Sequence, residues 1–164
     1  MTIAKRVGEA LRERSDTVAV AESCTGGLVG SLVTDVPGSS AYFDRSVVSY
    51  SYDAKQDLLA VSREALDAHG AVSEPVAREM ARGVRDTAET DWGVATTGVA
   101  GPTGGSPETP VGTVYIAVAH AAPWESEASG CTVAHYEFDG ARAEVKEKIA
   151  RQALSDLLTA VQNQ

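Results

Sequence analysis

The sequence has no long hydrophobic run. No stretch of its 164 residues approaches the roughly 18 consecutive apolar residues that a transmembrane helix requires. The first six residues lead directly into a helical pattern and contain no apolar core of the kind that secretory signal peptides carry. We therefore expect a cytoplasmic protein that does not bind a membrane.

Basic charge is also scarce. The chain has 14 lysine and arginine residues against 23 aspartate and glutamate residues, which gives a formal net charge of −9. A general nucleic-acid binder needs a basic surface that displaces counterions from the phosphates. The charge balance therefore argues against a nucleic-acid partner. Lysine occurs only four times, at Lys5, Lys55, Lys146 and Lys148.

Cysteine and histidine are few and scattered. The two cysteines, Cys24 and Cys131, have neither the spacing of a metal site nor that of a disulfide framework. The three histidines form no paired-ligand pattern on a helix. We predict reduced thiols, no metal site and no cofactor.

Helical and strand-like patterns alternate along a chain of ordinary composition. Hydrophobic residues make up 43% and charged residues 23%, which is typical of a soluble globular protein. We predict one domain over residues 1–164 and an α/β sandwich with helices on both faces of a sheet. The predicted strands cover residues 17–21, 46–50, 92–97, 111–118 and 131–138. The predicted helices cover residues 3–15, 28–34, 53–59 (capped by Asp53), 62–70, 73–87 and 140 onward.

A hydroxyl and a thiol lie on the turn between the first strand and the second helix. This turn carries Ser23, Cys24 and Thr25, followed by Gly26 and Gly27. The backbone N–H groups at a helix start are free to bind an anion, so such a turn can present a nucleophile and stabilise an oxyanion. The alternative is that Ser23 or Thr25 merely caps the helix.

Three segments with candidate functional residues each follow a predicted strand. Ser23, Tyr50 and Gly98 lie at or directly after the carboxyl ends of predicted strands, and the carboxyl ends of parallel strands meet at one edge of a sheet. Lys55 follows Tyr50 closely and is a candidate base, since a serine needs a base and no histidine is well placed. The alternative is a solvated lysine beside a core tyrosine.

A glycine-rich segment over residues 98–106 follows the strand at 92–97. Its closely spaced backbone amides can cradle a phosphate, although it matches neither a Walker loop nor a dinucleotide-binding motif. The alternative is a flexible connection without a ligand.

The chain resembles the C-terminal domain family of the competence/damage-inducible protein CinA, over roughly residues 3–160. The resemblance is carried by six segments in order: Ala21-Glu22-Ser23-Cys24-Thr25-Gly26-Gly27, Pro37-Gly38-Ser39-Ser40, Tyr50-Ser51 with Ala54-Lys55, His69-Gly70-Ala71-Val72-Ser73-Glu74, Thr97-Gly98-Val99-Ala100-Gly101-Pro102 and Pro110-Val111-Gly112-Thr113-Val114. It implies a three-layer α/β/α sandwich with a mixed, mostly parallel sheet, and a homodimer.

The resemblance also implies hydrolysis of nicotinamide mononucleotide to nicotinate mononucleotide and ammonia, without a metal. Ser23 would attack the carboxamide, Lys55 would take its proton, and Tyr50 would orient or relay. Cys24 and Thr25 remain rival nucleophiles and are expected at the substrate in any case. The amides of Gly26 and Gly27 are candidate oxyanion donors. The candidates for the nucleotide phosphate are Gly98, Ala100, Gly101, Gly104, Gly105 and Ser106.

Two other functions stay open at this stage. One is a nucleotide- or partner-binding module without catalysis, and the other is an amidase with a different substrate. Tyr52 departs from the family's pattern, in which a smaller residue, often asparagine, is expected. If its side chain lines the pocket, substrate choice would differ.

Overall fold

The computed structural model describes residues 1–164 and contains six α-helices and five strands. In chain order these are α1 (Ile3–Arg14), β1 (Val18–Glu22), α2 (Leu28–Thr34), β2 (Phe43–Val48), α3 (Tyr52–Leu59), α4 (Arg63–His69), α5 (Glu74–Ala88), β3 (Trp92–Gly98), β4 (Thr113–His120), β5 (Gly130–Glu137) and α6 (Arg142–Gln162). A single 3-10 turn, Ser39–Ala41, precedes β2. No helix is both long enough and apolar enough to cross a membrane.

The five strands form one mixed sheet in the order β2-β1-β3-β4-β5. β1 lies parallel to both β2 and β3, whereas β4 lies antiparallel to both β3 and β5. Every strand except β4 therefore runs in the same direction, which confirms the mixed, mostly parallel sheet. The carboxyl ends of β1, β2 and β3 meet at one edge of this sheet.

Helices cover both faces of the sheet, because successive side chains of a strand point to opposite sides. Val18 and Val20 of β1 belong to a core shared with α1, α2 and α6. Ala19 and Ala21 of the same strand belong to a second core shared with α3, α4 and α5. Small residues on this second face let α5 lie close to the sheet: a Cβ on Gly93 of β3 would clash with the α5 backbone. The three-layer α/β/α sandwich is confirmed.

Most boundaries lie within two residues of the sequence prediction, and the start of β2 and the cap of α3 differ in ways that bear on the site. β2 begins at Phe43 and ends at Val48, three residues earlier than expected at its start, because an edge strand tolerates exposed polar residues such as Asp44 that hide its pattern. The cap of α3 is Ser51, whose hydroxyl accepts a hydrogen bond from the Ala54 amide at 3.0 Å, and not Asp53. The link between β2 and α3 is consequently only three residues long.

Candidate active site

A buried glutamate organises the turn that carries Ser23. Glu22, the last residue of β1, is completely inaccessible to solvent. Its carboxylate accepts five hydrogen bonds, three from backbone amides around the start of α2 and two from hydroxyls. The donors are Gly27 N (3.2 Å), Val29 N (2.8 Å), Gly30 N (3.0 Å), Thr25 Oγ1 (2.6 Å) and Ser46 Oγ (2.5 Å). These bonds offset the desolvation of the charge and fix the turn between β1 and α2.

Ser23 and Lys55 meet in the interior, as the sequence prediction requires. Ser23 is only 8% exposed and Lys55 is fully buried. The Lys55 ammonium nitrogen Nζ lies 2.9 Å from Ser23 Oγ and donates to the Ser49 carbonyl at 2.7 Å. The Ser49 amide in turn donates to the Glu22 carbonyl at 2.8 Å, and this bond joins the ends of β1 and β2 beside the lysine.

Burial away from water lowers the pKa of Lys55 to about 8. Its hydrogen-bond partners are a hydroxyl and two carbonyls, and no carboxylate forms an ion pair with it. A lysine with this pKa is neutral in about a tenth of molecules at pH 7, and the neutral amine has a lone pair that can take a proton. Lys55 therefore meets both requirements of a base for Ser23, distance and pKa.

The two rival nucleophiles point elsewhere. The Cys24 thiol lies in the core between α2 and α6, and burial raises its pKa to about 12, so the reactive thiolate is strongly disfavoured. The Thr25 hydroxyl donates to Glu22 and lies 2.8 Å from the Thr96 hydroxyl. Among the three candidates, only Ser23 forms a hydrogen bond with the lysine.

The amides of Gly26 and Gly27, which the sequence indicates as candidate oxyanion donors, both have acceptors within the protein. The Gly26 amide donates to the Ser23 carbonyl at 3.2 Å, and the Gly27 amide donates to Glu22. Both glycines instead allow the turn's positive φ angles, 59° and 105°. The amides of Cys24 and Thr25 donate to no other residue, and they lie on the same turn as the Ser23 hydroxyl.

Tyr50 lies at the mouth of the site, and its hydroxyl does not contact the Ser23–Lys55 pair. The side chain is 62% exposed, and its hydroxyl accepts a hydrogen bond from Arg142 at 3.2 Å. Only its backbone carbonyl is near the lysine, at 3.5 Å from Nζ. The structure thus brings Tyr50 to the site but links its side chain to α6.

Two cations of α6, Arg142 and Lys146, also reach the site, and the sequence analysis missed both. Arg142 donates to the Gly101 carbonyl at 2.7 Å as well as to Tyr50. Lys146 lies one helical turn further, and its Nζ is 3.7 Å from the position that a Cβ on Gly26 would occupy. The sequence feature that could have pointed to Lys146 is the scarcity of lysine. The chain has only four lysines, so each of them is a candidate functional residue.

Only part of the glycine-rich segment over residues 98–106 is shown to lie at the site. Gly98 ends β3 at the same sheet edge as Ser23, and Arg142 holds the Gly101 carbonyl. The Ser106 amide donates to the Thr109 carbonyl and the two hydroxyls pair, so Ser106 has no free amide for a phosphate. Free amides remain at the other loop positions singled out from the sequence, Ala100, Gly101, Gly104 and Gly105.

Tyr52, which departs from the family's pattern, contacts the segment that links α4 to α5. Its hydroxyl accepts a hydrogen bond from the Ala71 amide at 3.2 Å, and Thr97 of β3 donates to the Ala71 carbonyl at 2.8 Å. Tyr52 of α3 and Thr97 of β3 therefore both hold Ala71, in the link between α4 and α5.

The arrangement is suited to attack on an acyl carbon of an anionic molecule. It combines a buried hydroxyl, a lysine of lowered pKa, free amides beside the hydroxyl and two cations at the mouth. No group of three or more histidine, cysteine or acidic side chains is arranged to hold a metal ion.

Comparison with known proteins shows which family the chain belongs to. The family model described as the CinA C-terminal domain matches residues 1–161. The chain belongs to this family. It is 49% identical over 162 residues to the CinA-like protein of Chlorobium limicola, and 56% identical over 118 residues to that of Synechocystis. These alignments cover 98% and 72% of this chain but only 37% and 28% of the relatives, so the chain spans about a third of their length.

Solved structures of the same superfamily have the same fold. A CinA superfamily protein from Klebsiella pneumoniae superimposes with a TM-score of 0.90 at 32% identity, covering 99% of this chain and 97% of that one. The competence/damage inducible protein CihA from Agrobacterium tumefaciens gives a TM-score of 0.86 at 39% identity, covering 99% and 94%. This CinA C-terminal domain therefore matches known members over nearly its whole length.

The hydrogen bonds to Glu22 predict that the substitution Glu22→Gln lowers the stability of the fold. The amide nitrogen of glutamine would face donors in place of an accepting oxygen, so we expect the free energy of unfolding to fall by about 2–3 kcal/mol in urea denaturation. The matched control is Glu9→Gln on the exposed surface of α1, which should change stability by no more than about 0.5 kcal/mol. Equal stability of the two variants would contradict the organising role of Glu22.

Proposed function

We propose that this CinA C-terminal domain hydrolyses the carboxamide of nicotinamide mononucleotide to nicotinate mononucleotide and ammonia. The observation that carries the proposal is the 2.9 Å contact between Lys55 Nζ and Ser23 Oγ in a buried setting that lowers the pKa of the lysine. The choice of substrate rests on the family resemblance and on the two cations, which suit a phosphate.

The first half of the reaction forms an acyl-enzyme. Neutral Lys55 takes the proton of Ser23 as Oγ attacks the carboxamide carbon. The free amides of Cys24 and Thr25 are the donors available to the oxygen that becomes negative. When the C–N bond breaks, the lysine ammonium gives its proton to the leaving nitrogen, and ammonia departs.

The second half releases the acid. A water molecule loses a proton to Lys55 and attacks the ester carbon, and the proton returns to Ser23 as the ester bond breaks. The same lysine thus serves as base and then as acid in each half. Its pKa of about 8 suits both roles because neither form is rare near neutral pH.

The nucleotide phosphate is assigned to the mouth of the site. Arg142 lies between Tyr50 and the Gly101 carbonyl, and Lys146 lies above Gly26 without a hydrogen-bond partner of its own. Charge-assisted bonds to phosphate are among the stronger polar contacts, and the free amides of the glycine-rich segment can add to them. Tyr50 then acts as a positioning residue for Arg142.

Ammonia release from nicotinamide mononucleotide tests the reaction. We expect turnover by the wild type, a loss of about 10³-fold or more for Ser23→Ala, and a loss of about 10²–10⁴-fold for Lys55→Ala. Ser31→Ala on α2 and Lys148→Ala on α6 are the matched controls and should retain wild-type rates. Binding of the mononucleotide by folded wild type without any turnover would contradict the proposal and favour a binding module.

The pH dependence tests the role of the lysine. Because only the neutral amine accepts a proton, kcat/KM should rise about tenfold per pH unit below the pKa near 8 and level off above it. Tyr50→Phe should keep this inflection, since the Tyr50 hydroxyl contacts Arg142 and not the lysine. A wild-type rate that is constant from pH 6 to pH 8 would exclude Lys55 as the base.

Comparing two substrates tests the phosphate contacts. Lys146→Ala should raise KM for nicotinamide mononucleotide by about ten- to a hundredfold, because a charge-assisted contact is lost, with little change in kcat. The same variant should leave kcat/KM for nicotinamide riboside, which lacks the phosphate, nearly unchanged. Lys148→Ala is the control, since Lys148 bonds instead to the Asp139 carbonyl. An equal loss with both substrates would refute the assignment.

A further inference from the structure

An open cavity of about 380 Å³ lies at the end of the sheet opposite to the one that carries Ser23. Its wall includes Trp92 at the start of β3, His120 at the end of β4 and Gly130 at the start of β5. Because β4 runs antiparallel to β3, these residues meet at the sheet edge away from Gly98. The volume lies within the range of about 300–1,000 Å³ that is typical of small-molecule pockets.

Small side chains create this cavity where β5 extends beyond the last helix. On the sheet, α6 packs mainly against β3 and β4. Two small residues of β5, Thr132 and Ala134, line the cavity on the side of the sheet. Ala160 lines it on the side of α6. Most of the wall is apolar, so it suits a hydrophobic ring.

Asp156 of α6 is the acidic side chain in the wall of the cavity. The Tyr136 hydroxyl lies 2.9 Å from both of its carboxylate oxygens, and Gln152 Nε2 donates to one of them at 2.8 Å. A carboxylate can accept about four hydrogen bonds, so part of its capacity stays free. No lysine or arginine forms an ion pair with it. Asp156 is thus a half-buried carboxylate that only neutral groups of this chain stabilise.

The electrostatics around Asp156 favour a positively charged partner. Burial raises the pKa of Asp156, and the bonds from Gln152 and Tyr136 oppose this rise only in part. A cation beside the carboxylate would favour its charged form. Burial lowers the pKa of His120 in the same wall, so this side chain is neutral near pH 7 and does not repel a cation. The net charge of −9 also attracts cations to the protein as a whole.

We propose that this cavity binds a small planar organic cation, whose ring lies among the apolar side chains and whose charged nitrogen contacts Asp156. The volume and the apolar wall select the ring, and the carboxylate without an ion-pair partner selects the charge. A neutral molecule of the same shape would leave that carboxylate without a cation, and an anion would be repelled. The cavity is separate from the Ser23 end of the sheet, so this proposal does not depend on the hydrolysis proposed above.

Calorimetric titration of the full chain with benzamidine, a planar aromatic cation, tests the proposal. We expect saturable binding with a dissociation constant of about 1 mM or lower. Salt at about 0.15 M limits the nonspecific attraction of a cation to the acidic chain. Acetophenone is the neutral probe of similar shape and benzoate is the anionic one. Both should bind at least about tenfold more weakly than benzamidine.

Removing the charge of Asp156 tests which residue selects the cation. Asp156→Asn should weaken benzamidine binding by about ten- to a hundredfold, because a charge-assisted contact is lost, and should leave acetophenone binding unchanged. Asp57→Asn is the matched control, since it removes the same charge from an exposed position on α3. It should bind benzamidine like the wild type.

Filling the cavity tests where the ring lies. Ala160→Phe should abolish benzamidine binding, with folding checked by thermal unfolding. Thr132→Phe is the second variant if Ala160→Phe is unstable, because Thr132 is exposed on β5 and aromatic residues are favoured in strands.

The titrations can contradict the proposal in three ways. A wild type that does not bind benzamidine at millimolar concentrations would show that the cavity holds no such ligand. Equal affinities for benzamidine and acetophenone would exclude a site that selects a cation. Binding that survives Asp156→Asn or the filled cavity would place the cation elsewhere on the acidic surface. Preferential binding of benzamidine that is lost in both kinds of variant, and kept in Asp57→Asn, supports the proposal.

Discussion

The buried carboxylate of Glu22 is the constraint on which the site depends. An isolated charge in the interior is costly, and five hydrogen-bond donors from the turn, α2 and β2 offset that cost. Those bonds fix where α2 begins relative to β1, and one of them engages the Gly27 amide. They leave the Ser23 hydroxyl directed toward Lys55, and the Cys24 and Thr25 amides without acceptors on other residues. The geometry of the nucleophile thus follows from the way one charge is accommodated.

Burial away from water shifts the pKa values of Lys55 and Cys24 in opposite directions. Burial lowers the pKa of Lys55, because its charged form loses hydration, and so makes a proton-accepting amine available. Burial raises the pKa of Cys24, because its charged form is the thiolate, and so suppresses the more reactive nucleophile. One dry environment therefore favours the serine–lysine pair over the adjacent cysteine.

The sequence predicted the parts of the site that depend on chain order, and missed those that depend on tertiary contacts. Ser23 and Lys55 follow adjacent parallel strands, so the general rule for strand ends was sufficient to place them together. Arg142 and Lys146 belong to the last helix, and no local pattern indicates which sheet edge its first turns reach. The acceptors of the Gly26 and Gly27 amides could not be predicted for a similar reason. They depend on how the turn folds and on where the buried Glu22 carboxylate lies. The start of β2 was missed because exposed polar residues conceal an edge strand.

The reversal at β4 leaves one end of the sheet with the serine, and α6 completes the site from a different part of the chain. Parallel β1, β2 and β3 bring their carboxyl ends to Ser23, whereas β4 carries the chain back to the opposite end of the sheet. The first turns of α6 return to the serine end, where Arg142 contacts Gly101 and Tyr50. Because α6 is a rod of 21 residues, about 30 Å long, whose apolar side is buried in the core, the packing of its whole length sets where its two cations lie.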